Sequence, residues 1–289
     1  MDNVTGKVAF ITGGASGMGL AMARSFSAAG MKVAIADIEQ DALDRVKAEF
    51  AKSNAKVITL KVDVTDRDAM ERAAKETEAA FGKVHVVVNN AGVAVGGGID
   101  AMSYKDWDWV MGVNLQGVIN GVQTFVERIK SHGEGGHIVN TASMAGHLAF
   151  PGLGVYNTTK FAVVGLSEAL RADLAAHKIG VSVLCPGVVT TNIFNSGRNR
   201  PEDLQADTDT ASLALTADVS DTERTARLQQ IMQGALDPAV VGDMVLAAIQ
   251  ANDEYIFTHP ELKPLVESRS EAIGTSFERW AKYRKDHGV

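Results

Sequence analysis

Short runs dominated by valine, isoleucine and alanine recur along the first two thirds of the chain, separated by longer amphipathic stretches. No other feature restricts the fold as much. The runs cover residues 7–12, 33–37, 57–62, 84–89, 137–141 and 181–185. Strands that are apolar on both faces are buried on both, which marks a parallel sheet covered by helices. The intervening stretches fit those helices. Leu43, Val46 and Phe50 share one helical face, while Asp44, Arg45, Lys47 and Glu49 lie elsewhere. Repeated strand–helix–strand units predict an α/β fold: one doubly wound parallel sheet of about seven strands with helices on both faces.

The rhythm breaks over residues 192–237, which are polar and irregular and include Asp207-Thr208-Asp209-Thr210 and the acidic stretch 218–223. It returns as an expected helix over 238–251, strand over 255–258 and helix over 262–283. An insertion of this length late in a compact fold reads as a lid over a substrate site. With no Pro/Ser-rich linker, residues 1–289 are expected to form one domain, with 192–237 as the lid and 259–289 as a C-terminal helical extension.

Composition excludes several classes. The 289 residues carry 28 basic and 35 acidic side chains, a formal charge of −7, with no stripe of lysine and arginine. Nucleic acids and anionic membrane surfaces both require such a stripe. No apolar run approaches the roughly 18 residues of a membrane span. The opening Met1-Asp2-Asn3-Val4-Thr5-Gly6 lacks the basic-then-apolar pattern of a leader, so the cytoplasm is the expected compartment. The single cysteine, Cys185, excludes an internal disulfide and a zinc cluster; it reads as a buried strand residue, and no metal site is expected.

The first strand runs into Thr12-Gly13-Gly14-Ala15-Ser16-Gly17-Met18-Gly19, with a helical stretch beginning at Leu20. A glycine turn between strand and helix lets backbone N–H groups approach a pyrophosphate, whose charge the helix N-terminus favours. Glycines also serve plain tight turns; the context of strand, helix and a second strand ending in an acid makes the dinucleotide reading specific. That acid is Asp37. A carboxylate there accepts both hydroxyls of an adenine ribose. A 2′-phosphate about 4 Å away would meet repulsion on the order of 4 kcal/mol at a near-surface dielectric. NAD is therefore expected over NADP, with an exposed loop carboxylate as the alternative reading of Asp37.

Further pieces follow in order: Asn89-Asn90-Ala91-Gly92 after the fourth run, Ser143 after the fifth, and Tyr156-Asn157-Thr158-Thr159-Lys160 opening the next helix. With the glycine turn, these resemble the short-chain dehydrogenase/reductase superfamily in its compact single-domain branch, over residues 5 to about 191. The resemblance implies a Rossmann-type enzyme in which Tyr156 takes the alcohol proton while a hydride leaves for the nicotinamide. It implies that Ser143 holds the substrate oxygen, Lys160 the nicotinamide ribose, and Asn114 a water and proton path. Tyr156 and Lys160, four apart, share a helix face. An ammonium and the positive nicotinamide nearby should lower a phenol pKa that is ordinarily about 10. Each residue also has a plainer reading: a surface pair, a helix-capping serine, a satisfied buried amide.

By the same resemblance the cofactor contacts are Gly13, Ser16, Gly17, Met18, Gly19, Asp37, Ile38, Asp63, Val64, Asn90, Ala91, Gly92, Tyr156, Lys160, Pro186, Gly187, Val189 and Thr191. The substrate walls are Ser143, Tyr156, Val95, Met144, Val188 and Phe194, which outline a roomy apolar pocket. Arg198 and Arg200 read as solvated or ion-paired, and His147 as a substrate contact or a plain loop histidine. The stretches 113–121 and 191–201 resemble bacterial Cα-dehydrogenases of lignin β-aryl ether breakdown, implying NAD-dependent oxidation of a benzylic secondary alcohol. The alternatives are an NAD(P)H-dependent carbonyl reductase or steroid-type dehydrogenase, and a non-catalytic dinucleotide-binding regulator. The expected partner is a small apolar or aromatic alcohol, and the resemblance implies a homodimer or homotetramer.

Overall fold

Every expected strand forms, its ends lying within two residues of the expected ones. The computed structural model describes Met1, residues 3–205 and residues 234–289. The strands are β1 (Val8–Thr12), β2 (Lys32–Asp37), β3 (Val57–Lys61), β4 (Val86–Asn89), β5 (Gly136–Thr141), β6 (Ile179–Cys185) and β7 (Tyr255–Phe257). They form one seven-stranded sheet in the order β3-β2-β1-β4-β5-β6-β7. All neighbours pair in parallel.

The helices are α1 (Gly17–Ala28), α2 (Gln40–Phe50), α3 (Arg67–Phe81), α4 (Tyr104–Met111), α5 (Gly117–His132), α6 (Gly154–Leu174), α7 (Pro238–Ala251) and α8 (Lys263–His287). Between α4 and α5 the helix continues through a π-turn, Gly112–Gln116. The sheet is buried on both faces because side chains alternate along each strand. In β1, Ala9 and Ile11 join Met22, Phe26, Leu43, Val245 and Ile249 on one face. Val8 and Phe10 join Met70, Ala74, Phe125 and Ile129 on the other. The Phe10 and Phe125 rings lie 4.6 Å apart, and burying each contributes about 1.5–3 kcal/mol.

Residues Met1–Thr258 form one compact unit and His259–Val289 a second. The second holds a 3-10 turn, Pro260–Leu262, and the 25-residue α8, of which no residue is buried. Of the expected lid, the structure describes residues 192–205, with 3-10 turns at Asn192–Asn199 and Glu202–Leu204, and residues 234–237. The rest of the lid, including the acidic stretches at 207–210 and 218–223, lies outside the described residues. The insertion leaves and returns side by side. Val189 pairs with Leu236, and Leu236 N–H donates to the Val188 carbonyl at 3.0 Å. Among the described residues no helix is long and apolar enough to cross a membrane, and no His/Cys/Asp/Glu group is placed to hold a metal.

One buried polar pair makes the fold sensitive to acid. His137 on β5 is 1% exposed, and its Nε2 lies 2.7 Å from the Ser182 hydroxyl on β6. Burial lowers its imidazole from the ordinary 6.5 to about 3. The unfolded chain thus takes up this proton near pH 6.5 and the folded chain only near 3. Stability is full above 6.5 and falls through that window by up to about 1.4 kcal/mol per pH unit. We expect His137→Gln to flatten the pH dependence of the urea midpoint between pH 4 and 6.5; an unchanged slope would place the acid sensitivity elsewhere.

Candidate active site

Strand order reverses between β1 and β4, which pair directly although α1, β2, α2, β3 and α3 separate them in sequence. In open α/β sheets the crevice at the carboxyl ends of such neighbours is where ligands bind. Four hydrogen bonds close the floor of this crevice. Thr12 Oγ1 accepts the N–H groups of Asn90 (2.9 Å) and Ala91 (3.1 Å), and Asn90 Nδ2 donates to the carbonyls of Thr12 (3.1 Å) and Gly13 (3.2 Å).

Above that floor runs the glycine turn. Gly13 and Gly17 have φ of +61° and +50°, the left-handed region that glycine enters without strain. At Gly19 a Cβ would lie 2.1 Å from the Gly13 carbonyl oxygen, so only glycine lets α1 approach the turn. No side chain caps α1 at Ser16, and its first turn, with Met18, carries no acid. The turn therefore presents the positive end of a helix to the crevice.

Asp37 is 8% exposed, which removes the exposed-loop alternative. Its Oδ2 accepts the Ala15 N–H at 2.9 Å and its Oδ1 the Glu39 N–H at 3.1 Å. Burial raises the carboxyl above the usual carboxylate range, against those two bonds. Each oxygen keeps a second lone pair for a hydroxyl. Ile38 is open to solvent at 39% exposure. Asp63 spends its Oδ1 on the N–H (2.9 Å) and hydroxyl (2.7 Å) of Thr65, shaping a turn, while Val64 is buried as a wall.

Tyr156 and Lys160 stand on the first turns of α6, and Ser143 lies two residues beyond the end of β5. Lys160 is 3% exposed; its Nζ donates to the Thr141 carbonyl at 2.9 Å and lies 5.4 Å from the centre of the Tyr156 ring. Burial lowers its ammonium to about 8. The Ser143 hydroxyl accepts the Ala145 N–H, and its single proton is directed either to the Pro186 carbonyl at 3.3 Å or to the phenol of Tyr156. Without the nicotinamide, the nearby ammonium does not produce the expected lowering of the phenol. The phenol is raised above 10, because burial of its hydroxyl outweighs the bond from Ser143. Lys160 does not reverse this, since its ammonium is aimed at Thr141 and not at the phenol oxygen.

Asn114 lies in the π-turn, fully buried, as turns of this kind often do at functional sites. Its Oδ1 accepts the Val93 N–H at 2.8 Å, and its Nδ2 donates to the Val93 carbonyl (2.9 Å) and Thr159 Oγ1 (3.3 Å). The amide is thus satisfied by the chain itself and pins the segment after β4. Gly92 lies between it and Lys160: a Cβ there would be 3.4 Å from Asn114 Oδ1 and 3.8 Å from Lys160 Nζ.

The short chain dehydrogenase family profile matches residues 7–202. This chain belongs to the short-chain dehydrogenase family. Its members are oxidoreductases of alcohols and ketones, and so is this protein. The C alpha-dehydrogenase of Sphingobium sp. (strain NBRC 103272 / SYK-6) is 36% identical over 274 residues, 94% of this chain and 87% of the relative. A short-chain dehydrogenase/reductase from Burkholderia phymatum, solved in complex with NAD, superposes with a TM-score of 0.88 at 37% identity, covering 96% of this chain and 97% of that one. The apo form of LigO from Sphingobium sp. strain SYK-6 gives 0.80 at 36% identity, covering 97% and 92%.

In this short-chain dehydrogenase the expected substrate walls divide. Val95 and Met144 are 4% and 3% exposed, and Val95 packs with Val93, Trp109, Val110 and Val155. Val188 and Phe194 are half-buried. Pro186 accepts the Met144 N–H, Gly187 N–H donates to Thr258 Oγ1, Val189 is buried, and Thr191 caps the turn that follows. His147 packs edge-on to Tyr255 and Phe257, with Nε2 3.4 Å from the buried Cys185 sulfur.

Three contributors escaped the sequence reading. Thr12 and Thr141 hold the floor and Lys160, and Ser196 holds Ala94; their type carried no signal because each acts on backbone groups distant in sequence. The arginines are ion-paired, as expected. Arg198 Nη2 lies 2.6 Å from Glu39, and Arg200 Nη1 lies 2.7 Å from Asp106 with both side chains almost wholly buried. Arg200 also stacks 5.0 Å over Trp109. Removing one partner of a buried pair strands the other charge. We expect Arg200→Met to cost about 3–5 kcal/mol, read as a lower urea midpoint.

Proposed function

We propose that this protein oxidises a secondary alcohol to a ketone with NAD, and that its substrate is the benzylic Cα-alcohol of lignin-type β-aryl ethers. The observation that carries the reaction is the half-buried Tyr156, its phenol hydrogen-bonded to Ser143 and its ring flanked by the buried Lys160. The residues present fit a dinucleotide. An uncapped α1 faces a pyrophosphate position, Gly19 leaves no room for a side chain beneath it, and both Asp37 oxygens retain acceptor capacity towards a ribose. Held by the glycine turn, Asp37 and Lys160, NAD would supply the acceptor for the hydride of the carbinol carbon.

The chain's own groups do the rest. Ser143 orients the substrate hydroxyl towards the phenol, and Tyr156 removes its proton. A phenol raised by burial is a poor base at neutral pH, so positive charge brought to the crevice with the cofactor is needed to lower it. Lys160 holds a ribose while its bond to Thr141 fixes its direction. Asn114 keeps Val93 in place beneath. Asp37 disfavours a 2′-phosphate.

The substrate assignment draws on the Sphingobium C alpha-dehydrogenase and LigO, which share most of this chain's length, and on the half-buried apolar side chains of Val188 and Phe194. Assembly as a dimer or tetramer is part of the same reading.

The test is turnover of β-aryl ether alcohols with NAD or NADP, followed by reduced-cofactor absorbance. We expect NAD to be preferred, the oxidation rate to rise with pH above neutrality as the phenol ionises, and Tyr156→Phe to lose about 10²- to 10⁴-fold. Activity confined to sterols or small hydroxy acids would overturn the substrate, and undiminished turnover by Tyr156→Phe would overturn the mechanism.

A further inference from the structure

Residues 192–200 cross the crevice from wall to wall. At one end Thr191 packs on the glycine turn, its Cγ2 3.1 Å from where a Cβ on Gly17 would stand. In the middle the buried Ser196 hydroxyl accepts the Ala94 N–H at 3.0 Å, beyond β4, and directs its proton to the Ile193 carbonyl at 2.6 Å, with the Ala94 carbonyl at 3.2 Å. Next, Arg198 Nη2 (2.6 Å) and Asn199 Nδ2 (3.0 Å) converge on a single oxygen, Glu39 Oε1, beyond β2. Arg200 then enters its buried pair with Asp106. Ala94 and Glu39 follow the strands on either side of β1. The segment between them therefore spans the glycine turn, where a dinucleotide held at Asp37 and Lys160 would lie.

These attachments are unequal. Ser196 and Arg200 are buried, whereas the Arg198 and Glu39 side chains keep about 30% exposure. Water screens and competes for such a pair, so it opens more readily than the buried ones. It is also tied to the ribose end of the site, because the Glu39 N–H donates to the Asp37 carboxylate. Arg198 holds the Glu39 carboxyl below the usual carboxylate range. In turn Glu39 neutralises the arginine, so this end offers no free guanidinium from Arg198 to a 2′-phosphate.

We propose that Glu39 and Arg198 form the latch that holds residues 192–200 over the bound dinucleotide, making Glu39 a positioning residue that governs cofactor release. The proposal rests on the dinucleotide reading of the crevice.

The test is stopped-flow release of NADH from the full chain, read by fluorescence on displacement with excess NAD. It compares wild type, Glu39→Gln, Arg198→Gln and the double exchange Glu39→Arg with Arg198→Glu. The single variants are expected to release NADH about two- to fivefold faster, as loss of one such interaction implies. The exchange should restore the rate to within about twofold, and wild-type release should quicken with salt while that of the single variants does not. If wild type binds NADH and the single variants release it at the wild-type rate, the latch is wrong, whatever their melting temperatures. If wild type binds no NADH, the dinucleotide reading fails and takes the latch with it.

Discussion

The hydrogen bonds joining Thr12 to Asn90 and Ala91 are the connection on which the site depends. They tie the end of β1 to the end of β4 at the place where strand order reverses. Asn90 returns the bond to the carbonyls of Thr12 and Gly13, so the start of the glycine turn is set by a strand that arrives some 75 residues later. A parallel sheet makes this possible, since all of its strands deliver their carboxyl ends to the same edge. Asp37 ends β2 at that edge, Asn90, Ser143 and Val189 follow their strands to it, and α6 brings Tyr156 and Lys160 there.

Burial at this edge decides the electrostatics. It pushes the Tyr156 phenol up and the Lys160 ammonium down to about 8, because a low-dielectric setting disfavours whichever form is charged. The two shifts have opposite consequences. Lysine retains a proton that it can give up near neutrality, and tyrosine retains one that it cannot. A crevice of this kind is set to respond to added positive charge, which a nicotinamide ring carries in its oxidised form.

Much of this was legible in the sequence. Near-continuous Val/Ile runs announced strands buried on both faces, and β1 shows why: Ile11 and Phe10 enter opposite cores. Spacing located Tyr156, Lys160, Ser143 and the glycine turn because these positions follow local elements. Direction was not legible. The same four-residue spacing that places Lys160 beside Tyr156 does not reveal that its ammonium points at Thr141. Pairings between distant segments were equally hidden, so Ser196 on Ala94 and Arg198 on Glu39 emerged only with the fold. For Asn114 the sequence left two readings open, and what it could not show is that the amide bonds to Val93 and Thr159.

The most direct measurement is the ionisation of Tyr156 itself, followed as phenolate absorbance in a pH titration, with Tyr156→Phe as the baseline for the remaining tyrosines. Without cofactor the Tyr156 signal should emerge only above pH 10. With NAD bound it should move towards neutrality by about one unit or more, since one unit corresponds to about 1.4 kcal/mol of added interaction with the phenolate. A midpoint that is the same with and without NAD, or a phenolate already present near pH 8 in the free protein, would contradict the account.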